Sequence, residues 1–206
     1  MAELPRTYSA ADVCFIAGIP AATLQNWLAE KREIVVLKGR ATYPGKDADR
    51  VFGIGDVFTV ATIAQLVKLG LPPREAKKFV PSAVQEMERQ TAGVGGDARY
   101  ECVLFIYPDP EKAGKFGFTR AFLNAETGML VRSYGKGGEK PAMLPDVATA
   151  IVFRMTAHLL RVRRQMHTIY ANRMGIPVHE VLAAEQRERV VEAPAKAKDL
   201  ELDGAE

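Results

Sequence analysis

Long apolar runs, cysteine, histidine and net charge are all scarce in this chain, and each scarcity excludes a class of protein. No run of roughly eighteen apolar residues occurs, so no membrane-spanning helix is expected. No basic-then-apolar leader stands at the N-terminus. The cysteines, Cys14 and Cys102, lie far apart with no C-x-x-C spacing. Both read as small buried apolar groups in a reducing compartment, so the expected location is cytoplasmic. His158, His167 and His179 miss the i, i+4 spacing of a helical metal site and read as helix-surface or interface residues. Glycine-rich stretches at 53–55, 93–96 and 135–138 tempt a phosphate-loop reading. None follows a buried strand and opens into a helix with Lys-[Ser/Thr]. No nucleophile elbow or carboxylate pair stands out. An enzyme is therefore not expected, nor a cofactor, nor a bound metal. A net charge of +3 is too mild to define a partner.

What is present begins with residues 8–28. Ser9 is placed to cap a helix, with Asp12 at the first-turn position where a carboxylate reaches back to free amides. Val13, Ile16 and Ala17 share one face. Gly18 stands where that helix must stop, because glycine enters the left-handed region without steric cost. Pro20 opens a second helix, expected over residues 21–30, with Leu24, Trp27 and Leu28 on one side and Thr23, Gln25 and Asn26 flanking it. Two short helices joined by a glycine turn make a helix-turn-helix, whose second helix can enter a DNA major groove. On these residues alone a plain helical hairpin is an equal reading.

The chain continues with a short apolar run, residues 34–37, read as a strand. Residues 38–49 read as a loop, and Arg50-Val51-Phe52 as a returning strand. A hairpin after a helix-turn-helix is a wing. Residues 31–50 carry six basic side chains (Lys31, Arg32, Lys38, Arg40, Lys46, Arg50) against three acidic ones (Glu33, Asp47, Asp49). That excess suits phosphate contact; a solvated loop is the bland alternative. Residues 56–69 read as a strong helix that Gly70 ends. Pro72-Pro73 opens a shorter one over 74–80, with Pro81 as its stop.

Taken together, residues 7–80 resemble the winged helix of the MerR (mercury-resistance regulator) family. Tyr8-Ser9, Gly18-Ile19, Thr23-Leu24, Trp27, Arg50-Val51-Phe52, Asp56-Val57 and Leu69-Gly70-Leu71 match its ordered pattern. The resemblance implies DNA binding through Thr23, Trp27 and the wing cations Lys38, Arg40, Lys46 and Arg50. It departs at Gln25 and Asn26, where the family carries an arginine and an aromatic. The family's sequence preference and its remodelling of promoter spacing therefore do not carry over. Its metal sensors hold cysteines in the C-terminal part; here only Cys102 follows residue 14, so metal sensing is rejected.

The expected organisation is a winged helix-turn-helix domain (6–82), a linker (83–98), an α+β domain (99–192) and a disordered tail (193–206). Residues 83–90 read as extending a helix into the linker. Residues 100–107, 116–123 and 129–134 read as three strands of an antiparallel meander. A long helix is expected over 145–174, with Gly175 as its stop. Ala148, Val152, Met155, Leu159, Val162, Met166 and Ile169 recur at spacings of four and three, a heptad seam. Such a seam serves as a homodimer contact; packing onto the chain's own sheet is the alternative, and both can hold. A shorter helix follows over 178–191. The fold class is α+β: a MerR-like winged helix, then a small antiparallel sheet with a long C-terminal dimerisation helix. The expected function is a sequence-specific transcriptional regulator binding double-stranded DNA as a homodimer. A DNA-architectural or DNA-handling accessory factor, of the phage excision or packaging kind, is the alternative.

Overall fold

The helix over Ile54–Lys68 is apolar nearly all round, and the rest of the N-terminal part packs on it. Val57, Val60, Ala61, Ile63, Ala64 and Leu66 are all buried, which marks a helix enclosed by its own protein. The computed structural model describes residues 7–29, 34–35, 51–91, 99–109, 111–133, 140–142 and 149–183. Its helices are α1 (Ala10–Ala17), α2 (Ala21–Leu28), α3 (Ile54–Lys68), α4 (Pro73–Ala76), α5 (Val80–Thr91) and α6 (Met155–Met174). A 3-10 turn, Lys77–Phe79, joins α4 to α5. The strands are β1 (Tyr100–Pro108), β2 (Phe116–Asn124), β3 (Leu130–Ser133), β4 (Lys140–Pro141) and β5 (Ile151–Arg154). The protein is thus a mixture of helices and one antiparallel sheet.

The sheet has the order β4-β3-β2-β1-β5. The meander of β1, β2 and β3 is as expected, with Cys102 opposite Phe122 and Leu123 opposite Leu130. One face, carrying Cys102, Leu104 and Ile106, enters the same core as α3 and α6. That single core runs from Tyr8 to Ile169 and includes Ala83 of α5. The stretch expected to begin a linker is therefore partly built in: residues 83–91 are helical, and Ala83 and Glu86 are buried. Pro81 does not stop a helix. It sits in the first turn of α5, where its missing N–H costs nothing.

The long helix is shorter than its periodicity suggests. It begins at Met155, not near 145, because Ile151-Val152-Phe153 form a strand on the edge of β1. β-branched and aromatic side chains fit a pleated surface, and here a partner strand is available to take them. Val152 accordingly leaves the seam: it is 53% exposed on β5. The other seam residues pack within the chain. Met155, Leu159, Val162 and Met166 are at most 2% exposed and Ile169 is 8% exposed, all within one chain. Their apolar stripe is spent inside the protein, against β1, α5, α3 and α1. Ala148 lies outside the described residues. Gly175 ends α6 as expected, at φ 66. Residues 178–183 of the following segment are helical.

Candidate nucleic-acid interface

The capping residues of α1 behave as read. Asp12 N–H donates to Ser9 Oγ at 3.2 Å, and Ser9 N–H donates to the Asp12 carboxylate at 2.7 Å. Gly18 takes φ 62, and Ile19 N–H reaches back to the Cys14 carbonyl at 3.1 Å. Lys68 Nζ donates to the Ala17 carbonyl at 3.3 Å, a cation at the negative end of α1. At the other end, Arg173 of α6 pairs with Asp12 and reaches the Thr7 carbonyl. The α1–α2 unit is thus fastened to α3 at its turn and to α6 at its start.

α2 is held by the side chains expected to hold it. Leu24 is 1% and Trp27 5% exposed. Val35 N–H donates to the Trp27 carbonyl at 3.1 Å, which closes the end of the helix. Trp27, expected at the interface, has its ring in the core, where it seats α2. Thr23 is half-buried, while Ala22, Gln25, Asn26 and Ala29 are exposed. At about 100° per residue these four centre on the side opposite Leu24 and Trp27. The outer face of α2 is therefore a pair of adjacent amides flanked by small residues. The wing cations Lys38, Arg40, Lys46 and Arg50 lie outside the described residues. Of the expected first strand, Ile34 and Val35 are described; both are buried and neither is in a strand. Phe52 pairs with Tyr8, with Tyr8 N–H on the Phe52 carbonyl at 2.9 Å and the reverse bond at 2.9 Å. The Tyr8 hydroxyl is buried with no hydrogen-bond partner among the described residues, and burial pushes its pKa up to about 12.

Sequence reading missed the polar joint between α3 and α6. His158 and His167 are buried, against the expectation of surface or interface positions. A histidine carries no sign of burial in its own residue type, and a neighbour on α3 decides it. His158 Nε2 lies 3.5 Å from Thr62 Oγ1, and Nδ1 lies 3.3 Å from Arg161 Nη2. A guanidinium only donates, so Nδ1 accepts and Nε2 carries the proton toward Thr62. Arg161 also donates to Gln65 at 3.2 Å. Burial first, and the Arg161 charge second, pull the His158 pKa down to about 4 from 6.5.

A pH dependence of stability follows. The unfolded imidazole takes up its proton near pH 6.5, the folded one only near 4. Between those values the unfolded state binds more protons, so stability falls as pH drops from about 6.5 to about 4. The loss is up to about 3 kcal/mol. Urea midpoints for the wild type and His158→Gln across that window measure it. The difference between the two proteins should shrink or invert as pH falls; a constant difference would mean that the imidazole titrates normally.

Among the described residues, no three His, Cys, Asp or Glu side chains gather as a metal site would require. No helix there is long and apolar enough to cross a membrane. Compared with protein-family models and with curated proteins, the chain finds no match.

Proposed function

We propose that the chain is a DNA-binding protein that reads duplex sequence through the outer face of α2 and acts as a transcriptional regulator. The observation that carries this reading is the exposed pair Gln25 and Asn26 on a short helix. That helix is anchored from behind by buried Leu24 and Trp27, after a glycine turn. A side-chain amide offers a donor and an acceptor together, which matches N6 and N7 of adenine in the major groove. Ala22 and Ala29 leave room for close approach, and alanine suits a thymine methyl. An A·T pair is expected beneath α2. The MerR resemblance supports the same assignment of helices. The seam on α6 is internal, so nothing in this reading needs a second copy joined through it.

Replacing Gln25 or Asn26 by alanine should cost ~1–3 kcal/mol on a site selected from random duplexes. On unselected DNA it should cost little. Fluorescence anisotropy on both substrates decides it, and an equal loss on the two would mean that neither amide reads a base. The architectural alternative draws on the departure at these same two positions. It would show as bending of short duplexes with no preferred sequence.

A further inference from the structure

Away from α2, cations gather where the 3-10 turn meets the β1–β2 turn. Glu75 of α4 is buried, and its carboxylate takes Lys78 Nζ at 2.6 Å and Lys115 Nζ at 3.5 Å. The hydrogen bond from Lys78 holds that carboxyl below its usual range. Lys78 belongs to the 3-10 turn and Lys115 to the turn before β2, so one carboxylate ties two elements together. Phe79 and Phe118 meet edge-to-face at 5.4 Å across the same joint. One carboxylate offsets only one of the two ammonium charges, and the lysine side chains stay 50% and 55% exposed. Arg74 and Lys112 flank them, exposed, with no side-chain partner among the described residues. Residues 73–79 and 109–115 carry five basic side chains (Arg74, Lys77, Lys78, Lys112, Lys115) against three acidic ones (Glu75, Asp109, Glu111). Of those acids Glu75 is buried against its lysines, while Asp109 accepts from the Glu111 N–H at 2.9 Å at the surface of the turn.

This surface stands near the helix-turn-helix. Lys68 Nζ on the Ala17 carbonyl fastens the end of α3 beside the α1–α2 turn. Arg74 follows six residues later, within about 20 Å of chain. That distance is about six base pairs of duplex.

We propose that Arg74, Lys78, Lys112 and Lys115 form a second contact for a nucleic-acid phosphate backbone, extending the footprint beyond α2. This rests on the reading of the chain as a DNA binder. The amide pair nearby favours a duplex over an anionic lipid surface, which would take the same cations. Arg74→Gln and Lys112→Gln are the variants to use, because neither side chain has a partner to strand among the described residues. Anisotropy of the full chain on a duplex of about two helical turns, between about 50 and 200 mM salt, gives the slope of log affinity against log salt. The double variant should lower that slope by about two units and weaken all sequences alike. An unchanged slope overturns the proposal. So does a double variant that loses binding to anionic phospholipid vesicles while duplex binding stays intact. The paired variant Gln25→Ala with Asn26→Ala separates this from the parent reading. Base preference lost there, with a normal slope for Arg74→Gln/Lys112→Gln, removes only the second surface. A lowered slope without any effect of the amides removes only base reading and keeps the second surface. No binding of any duplex removes both.

Discussion

Leu159→Arg should leave no cooperatively folded protein at neutral pH and room temperature. Leu159 is 2% exposed and lies in one core with Leu104 and Ile106 of β1 and Val60 and Ile63 of α3. Removing a buried leucine side chain alone costs ~2–5 kcal/mol. An arginine adds a charge beside the cations Arg161, Arg163 and Arg164 of α6, while the buried Glu86 of α5 already accepts from Thr156 Oγ1 at 3.2 Å. Burying an unpaired charge costs several kcal/mol more. The sum reaches or exceeds the ~5–15 kcal/mol that holds a domain of this size together. Circular dichroism should show the loss, and Leu159→Ala should shift the urea midpoint without abolishing the transition. The opposite outcome is specific. A Leu159→Arg protein that folds and changes only its sedimentation, from dimer to monomer, would mean that α6 meets a second copy and that the internal packing is wrong.

The N-terminal unit was legible because its signals are local. Ser9, Asp12 and Gly18 each act on backbone within a few residues of themselves, and the folded chain uses all of them as read. Gly175 is a stop of the same kind. The meander was legible for a related reason, since dense apolar stretches with short turns between them leave few other pairings. What could not be read is which partner an apolar stripe meets. The spacing of Met155, Leu159, Val162 and Met166 suits a second copy and an internal wall of β1 and α3 equally. Val152 fits a heptad position by count, yet it belongs to a strand because the edge of β1 is free to pair with it. His158 is set by Thr62, 96 residues away, and Asp12 by Arg173, 161 residues away. No local pattern encodes a contact of that range. The face of α2 was legible in its polarity, whereas the cationic joint at Glu75 was not, because it needs two turns brought together by the sheet.

Trp27→Ala should both destabilise the protein and abolish the sequence-selective DNA binding proposed for α2, while Trp27→Phe should keep most of each. Trp27 is 5% exposed, and its carbonyl accepts from Val35 N–H, so ring and backbone together seat the end of α2. Truncating a buried tryptophan costs ~3–5 kcal/mol, a large share of a domain's stability. The loss falls where it matters for binding. α2 has eight residues, too few to persist as a helix without its buried face. Gln25 and Asn26 would then lose the fixed spacing that a base edge requires. Phenylalanine refills most of the volume and keeps the helix seated, so it separates packing from contact. Were Trp27 a DNA contact, as the family resemblance implies, the phenylalanine variant would fold normally and bind poorly. The chain has one tryptophan, so its fluorescence reports on this position alone. A seated ring should emit at short wavelength, resist acrylamide quenching, and change little when a duplex is added. Free quenching in the unbound protein, or strong protection on adding DNA, would put the indole on the surface and return it to the interface.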